Sequence, residues 1–317
     1  MNRSTIGGYL GLTSKNRESK IHKNSIKLQS ARACLYLFLS STRCKKLYIP
    51  NLRCDVIDHV VLSLGINFEC YEVGPKLELP EKITLKDDEF VLITNYFGIC
   101  SDDVQRFLSN HDKDKVILDN AQAYYSKVTE CACAIYSVRK FIGAPDGGVI
   151  YTNISIKTPD ETYAPKYIDH LLLDFSDQQS HGYNSYLNSE GQLSEEFKPK
   201  NISSLSKKLM TLYDDELNIK ARQNNYNILD DAFGTINKLK RKLKDDDIPL
   251  CYPLYLSRNV EKICSILASR GIFLPRYWPS KKDNCEVYNK FLFLPVDQRI
   301  DSDQLKFLID EVGELIE

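Results

Sequence analysis

The sequence predicts an α/β protein: a large, mostly parallel sheet covered by helices on both faces, followed by a smaller α+β region. Three observations carry this. Short apolar runs rich in β-branched residues alternate with amphipathic stretches through the first half of the chain. Several of those runs, such as Phe90-Val-Leu-Ile-Thr-Asn95 and Val116-Ile-Leu-Asp119, are nearly continuous in apolar residues, as strands buried on both faces are. The chain has 317 residues, enough for a large core. We expect a large domain over 1–200 and a small one over 201–317.

Taken in order, residues 1–27 read as polar and irregular, with Gly7-Gly8-Tyr9-Leu-Gly11 as their only distinctive piece. Ser30 is a good N-cap for a helix beginning at Ala31, where small residues allow close backbone approach. With Arg32 in its first turn, this helix start fits a phosphate site, and it also fits a capped core helix with a solvated arginine. Lys46–Pro50 predicts a strand, Asp55–Leu64 a helix closed by Gly65, and Phe68–Val73 and Phe90–Asn95 two strands. A glycine turn leads to a helix over Asp102–Ser109, and Val116–Asp119 is the next strand. Ala134–Val138 and Val149–Thr152 are strands flanking a turn made by Pro145, Gly147 and Gly148. A long helix is predicted from Ile202 through Arg222 to Leu229. The basic run Lys238–Lys244, followed by Asp245-Asp-Asp247, reads as a solvated helix end. Leu250–Leu256 is a strand that Pro253 confines to an edge. Val260–Ser269 is a helix stopped by Gly271, Tyr288–Leu294 a strand, and Ser302–Ile316 a capped amphipathic helix. Trp278, the only tryptophan, reads as core or domain interface.

Composition narrows the function classes. Apolar residues make up 43% and charged residues 27%, with a formal net charge of −1, so no global charge draws the chain to nucleic acid or an anionic membrane surface. Ten scattered cysteines form no repeated spacing and no C-x-x-C pair, and five dispersed histidines give little basis for a zinc site. We expect reduced thiols and a cytoplasmic protein. The N-terminus lacks the apolar stretch of a signal peptide, and no run of about 18 apolar residues exists to span a membrane.

The chemistry concentrates on one lysine. Lys140 follows the Ala134–Val138 strand, and upstream the strand Val116–Asp119 ends in a carboxylate, with Gln122 close behind. Parallel sheets gather ligands at the C-terminal ends of their strands. A lysine and a strand-end aspartate there are what pyridoxal phosphate (PLP) requires: an amine for the Schiff base and a carboxylate to keep the pyridine nitrogen protonated. The plainer reading of Lys140 alone is a surface lysine beside a turn.

Six segments in order resemble the DegT/StrS-type PLP-dependent sugar aminotransferases, within the aspartate aminotransferase fold. Ser30-Ala-Arg-Ala-Cys-Leu35 is similar to the family's S-G-[TR]-[AS]-A-L, and Leu47-Tyr-Ile-Pro-Asn-Leu-Arg-Cys54 to its V-x-V-P-x-x-[TF]-[CFW]. Asn95-Tyr-Phe-Gly98 resembles H-L-[YF]-G, and Leu118-Asp-Asn-Ala-Gln-Ala123 resembles E-D-x-A-Q-[AS]. Ser137-Val-Arg-Lys-Phe-Ile-Gly-Ala-Pro-Asp-Gly-Gly148 resembles S-x-x-K-x-x-G-x-x-[DE]-G-G, and Phe293-Leu-Pro-Val-Asp-Gln-Arg299 resembles L-P-[IV]-[HD]-x-x.

The resemblance implies a seven-stranded-type sheet, PLP as cofactor and transamination. Lys140 would hold the cofactor and shuttle the proton, Asp119 would pair with the pyridinium nitrogen, and Gln122 would bond the ring 3-oxygen. Ala31, Arg32 and Ser137 would bind the phosphate. The ring would lie near Cys54, where the family often has an aromatic residue, so stacking is weaker or is supplied elsewhere, with Tyr96 the candidate. The family's serine usually stands further upstream, where this chain has Ile135. In Gly182-Tyr-Asn184, Asn184 matches the first half of the family's G-x-N-x-R, and Tyr186 stands where its arginine reaches across a dimer. Tyr96 and Asn184 are therefore candidate substrate or dimer-partner contacts. The implied partners are an amino donor, with glutamate expected, a nucleotide-linked keto deoxysugar, and a second copy of the chain forming a homodimer. No nucleic acid, membrane or metal partner is expected. The alternatives are a PLP-dependent lyase or dehydratase on the same fold, and a non-enzymatic relative that keeps the scaffold.

Overall fold

The structure is a computed structural model that describes residues 21–176, 178, 181–279 and 286–316. The glycine-rich piece at 7–11 lies outside these residues. A seven-stranded sheet dominates, in the order β1-β7-β6-β5-β4-β2-β3. Its strands are β1 (Ile26–Leu28), β2 (Lys46–Pro50), β3 (Asn67–Tyr71), β4 (Glu89–Thr94), β5 (Val116–Asn120), β6 (Cys133–Ser137) and β7 (Gly148–Thr152). The pairs from β3 to β6 are parallel, while β7 runs antiparallel to β6 and β1 antiparallel to β7.

Two apolar layers enclose the sheet. On one face, α1 (Ala31–Ser40) and α2 (Asp55–Ser63) pack on Leu47, Ile49, Ile117, Cys133 and Ile135. Helix α1 buries Leu35, Leu37, Phe38 and Leu39, each stabilising the layer by roughly 1.5–3 kcal/mol. On the other face, α3 (Ser101–Asn110) contributes Val104, Phe107 and Leu108 against Val91, Leu118 and Tyr136. That same cluster continues past residue 200 into the two-stranded sheet β8 (Cys251–Tyr255) and β9 (Phe291–Pro295). Trp278 joins it at the interface, 5.9 Å from Tyr96 and 6.0 Å from Phe97, as expected for a buried aromatic. Pro253 is tolerated because β8 has a strand on one side only among the described residues.

Several expectations are corrected. Residues 26 and 27 are not irregular: with Leu28 they form β1, whose short run Ile-Lys-Leu is too brief to show a period. The long helix over Ile202–Leu229 is two helices, α6 (Ser204–Met210) and α7 (Asp215–Phe233), because Asp214 caps the second by accepting from the Leu217 N–H. The 154–200 region contains helices α4 (Asp169–Phe175) and α5 (Tyr183–Glu195), which no sequence pattern announced. The strand expected over Tyr288–Leu294 starts only at Phe291, after the short helix α9 (Glu286–Lys290). The run Lys238–Lys244 is not a helix end, since α7 stops at Phe233. It is an irregular segment pinned to α3, with Arg241 on Asp103 and Lys244 on Asp102. Helices α8 (Glu261–Ser269) and α10 (Ser302–Ile316) match their expected spans to within a residue.

At the start of the described chain, His22 is buried among the rings of Tyr124, Tyr136 and Tyr151. The Tyr124 carbonyl can only accept, so Nε2 carries the proton at 2.8 Å, and Nδ1 accepts from the Tyr151 hydroxyl at 3.2 Å. Burial pushes this imidazole down to about 4. The unfolded chain therefore takes up a proton near pH 6.5 that the folded chain refuses until about pH 4. Stability falls across that window by up to about 3 kcal/mol. Urea titrations should show this acid slope in the native sequence and a shallower one in His22→Gln.

Candidate functional site

Strand β5 carries Asp119 to its C-terminal end, between Thr94 of β4 and Ile135 of β6. Strand alternation puts Asp119 on the same face as Ile117, the side covered by α1 and α2. Its Oδ1 accepts the Ala121 N–H at 2.8 Å, an Asx turn that lifts the chain off the sheet. Burial raises the Asp119 carboxyl, and the nearby Lys140 ammonium opposes the rise. Gln122 follows, buried, with Oε1 accepting the Phe97 N–H at 2.9 Å. That bond fixes the amide so that Nε2 remains the group able to donate. Phe97 itself is held in the left-handed region, φ 54°, by Gln122 and by the Leu250 N–H on its carbonyl at 2.8 Å.

Lys140 sits in a loop fixed at its base. Phe141 and Ile142 donate to the Val138 carbonyl, and Val138 donates to Gly147 at 3.1 Å. The Gly143 N–H donates to the Tyr213 hydroxyl at 3.0 Å, and Gln298 donates to the Phe141 carbonyl at 3.3 Å. Asp146 is fully buried, and its carboxylate accepts from the Ser203 N–H and from both the Ser203 and Ser206 hydroxyls. The backbone is thus pinned, while the Lys140 ammonium is exposed and makes no hydrogen bond to another described residue.

Beside the lysine loop, a helix start meets the sheet. Leu28 of β1 and Ser137 of β6 flank Gly148 of β7. A Cβ on Gly148 would lie 2.2 Å from the Ser30 carbonyl carbon and 2.5 Å from the Ala31 nitrogen, so only glycine lets α1 begin here. The Ser30 hydroxyl caps the Ala33 N–H at 3.1 Å. The Ala31 and Arg32 N–H groups have no partner among the described residues. Arg32 donates through Nη2 to Ser194 of α5 at 3.3 Å, while its buried Nε and Nη1 are unpartnered. Buried donors at a helix N-terminus, over a cradle that a single methyl would fill, suit a phosphate group. The donor set around Lys140 therefore fits PLP.

Of the residues the sequence singled out, Lys140, Asp119, Gln122, Ser137, Ala31 and Arg32 lie at neighbouring strand ends and the α1 start. Cys54 is exposed at the α2 N-cap, near enough to Arg32 for the two to interact electrostatically. Tyr96 is placed otherwise: it is 0% exposed, with its hydroxyl on the Leu52 carbonyl at 2.8 Å, and so offers no face to a ligand. Asn184 lies exposed in the first turn of α5. Sequence reasoning missed Arg139, Glu190, Ser194, Tyr213 and Gln298. Arg139, next to the lysine, pairs with Glu190 of α5, and neither spacing nor composition announces residues brought in by an unpredicted helix. A cleft of about 630 Å3, lined by Asn95, Leu118, Asn120 and the 126–130 and 243–246 loops, opens on the sheet face opposite Asp119.

No protein-family model matches the sequence, and no curated protein matches it. The structure, however, is similar to solved aminotransferases. The aminotransferase TlmJ from Streptoalloteichus hindustanus aligns at TM-score 0.64 and 16% identity, over 92% of this chain and 85% of that one. The sugar aminotransferase CalS13 from Micromonospora echinospora gives 0.63 and 15%, over 92% and 88%. PseC from Helicobacter pylori, an aminotransferase involved in the biosynthesis of pseudoaminic acid, gives 0.62 and 13%, over 92% and 86%. The fold expected from the sequence motifs is therefore the fold of this chain.

Two substitutions test the geometry. Gly148→Ala should displace the α1 start, cost about 1–3 kcal/mol and weaken phosphate binding in a thermal-shift titration. Asp119→Asn keeps the acceptor for Ala121 but removes a carboxyl that burial makes costly to ionise. A carboxyl raised on folding stabilises below its unfolded pKa, and that contribution is lost as pH rises through the folded value. Without ligand, Asp119→Asn should therefore melt higher than the native chain at pH 7 to 8, with the advantage shrinking towards about pH 4.

Proposed function

We propose that this chain is a PLP-dependent aminotransferase that passes an amino group from glutamate to a keto group on a nucleotide-linked deoxysugar. The observation that carries the reading is the Lys140 ammonium standing near the Asp119 carboxylate at the strand ends, with the unpartnered donors of Arg32 and the α1 N-terminus beside them. When bound, PLP supplies the electron sink that makes the donor's α-proton labile.

The chain's own groups do the rest. Lys140 provides the amine that anchors the cofactor and, once released, the base that carries the proton at its Nζ. An exposed ammonium on a pinned backbone suits a group that must leave and return. Asp119, whose carboxyl burial raises while the Ala121 N–H and the Lys140 cation oppose the rise, would pair with the ring nitrogen and keep it protonated. The Gln122 Nε2 would donate to the ring 3-oxygen, Arg32, the Ala31 N–H and Ser137 would hold the phosphate, and the ring would lie near Cys54. The fold likeness to CalS13, described as a sugar aminotransferase, and to Spr1654 from Streptococcus pneumoniae, described in PLP and PMP forms, supports the sugar substrate and the cofactor.

The same reading includes a homodimer. Helices α4 and α5 expose Leu172, Phe175, Tyr183, Tyr186 and Leu187 beside the open lysine site, an apolar surface of the kind a second copy covers. Asn184 on α5 is the candidate contact there. The nine described cysteines are all unpaired, which supports a reducing, cytoplasmic setting.

Purified protein mixed with PLP should develop the visible Schiff-base absorption, and glutamate should bleach it as the pyridoxamine form accumulates. Lys140→Ala should lack the band and lose transaminase turnover by at least about a hundredfold. Full turnover in that variant would contradict the assignment. A band indifferent to every amino donor would favour the lyase or dehydratase chemistry.

A further inference from the structure

Helix α5 touches the site at two points one turn apart. Its Glu190 carboxylate pairs with the Arg139 guanidinium, and its Ser194 hydroxyl accepts from Arg32. Residues four apart share one helical face, so a single face of α5 braces both the residue beside the lysine and the guanidinium at the α1 start. The helix is fixed from behind by Gln192, whose Nε2 donates to the Ala164 carbonyl at 3.1 Å and whose Oε1 accepts the Lys166 N–H at 3.0 Å. Charge points the same way. The Arg32 and Arg139 guanidiniums lie close enough to interact, the Glu190 carboxylate acts on both, and three of their nitrogens, Arg32 Nε and Nη1 and Arg139 Nε, are buried without partners. Such a cluster has positive charge to spare for an anion. Only 16% of the Arg139 side chain is exposed, so its orientation depends on Glu190 rather than on solvent.

We propose that α5 is a strap across the phosphate end of the cofactor site, and that Glu190 is the positioning residue that holds it closed. The proposal rests on the PLP reading above for the identity of the ligand, but its geometry concerns the phosphate group alone. With the strap closed, Ser194 takes one nitrogen of Arg32 and leaves Nε and Nη1 available to an anion at the α1 start. With Glu190 removed, Arg139 loses its anchor and α5, still held by Gln192, shifts on its site-facing side, so Arg32 loses the hydroxyl that orients it.

The test compares PLP with pyridoxal, which lacks the phosphate, in the full chain. Dissociation constants are read from the Schiff-base absorption for the native protein, Glu190→Gln, Arg139→Gln and the double variant. Glu190→Gln should weaken PLP about tenfold and leave pyridoxal unchanged. Arg139→Gln should do the same, and the double variant should be no worse than either single one, because the pair acts as a unit. Circular dichroism and melting of the ligand-free variants report folding independently. An unchanged or tighter PLP affinity in Glu190→Gln overturns the strap, as does an equal loss for pyridoxal.

Inorganic phosphate separates this proposal from the functional reading. If phosphate raises the melting temperature of the native chain and not of Glu190→Gln, while PLP forms no band, the strap stands and the aminotransferase reading falls. If PLP binds and bleaches with glutamate regardless of Glu190, the enzyme reading stands and the strap falls. If neither PLP nor phosphate binds in a Glu190-dependent way, the strap is refuted.

Discussion

A missing side chain governs the site. Because Gly148 has no Cβ, the start of α1 rests directly on β7, with Ser30 and Ala31 where a methyl group would otherwise be. That one close approach settles three things together. It brings the first-turn N–H groups of α1 to the edge where Ser137 ends β6. It lets β1 pair with β7, so the Gly147 N–H can reach the Gln29 carbonyl at 2.7 Å. It also aims Arg32 at α5 rather than at solvent. A helix N-terminus carries partial positive charge and unsatisfied donors, and here both are delivered next to an amine and a carboxylate that the parallel sheet has already placed at its strand ends.

The second constraint is the way the rest of the chain grips the lysine loop. Asp146 is a buried carboxylate satisfied by Ser203 and Ser206, which fastens the loop to the start of α6. Tyr213 lies between α6 and α7 and receives Gly143. Arg222 of α7 lies 4.5 Å from the Phe141 ring while donating to the Pro249 carbonyl. The break between α6 and α7, which looks like an imperfection in a long helix, is what lets Tyr213 turn towards the loop. A catalytic amine needs a fixed base and a mobile tip. Burial and hydrogen bonding supply the first, and the absence of any hydrogen bond from Lys140 to another described residue leaves the second.

Much of this was legible because it follows from local rules. The Ser30 cap, the strand at Lys46–Pro50, the Gly65 and Gly271 stops and the α10 span each depend on a few adjacent residues, and the sequence patterns locate them. The strands that carry Asp119 and precede Lys140 were legible because their apolar runs are local and nearly continuous. What could not be read depended on tertiary partners. Helix α5 has weak amphipathicity, and the groups it braces, Arg32 and Arg139, lie far from it in sequence. The basic run 238–244 looked solvated because nothing local reveals that Asp102 and Asp103 of α3 receive it. Tyr96 looked like a ring-stacking residue from its motif, but its hydroxyl is spent on Leu52 and its ring on Trp278.

The most direct test of the central claim is to add PLP to the purified chain, reduce with borohydride and map the modified peptide by mass spectrometry. The account predicts a single stoichiometric pyridoxyl adduct on Lys140, lost when Asp119 is replaced by Ala or when inorganic phosphate is in large excess. Adducts spread over several exposed lysines, unaffected by either change, would contradict it.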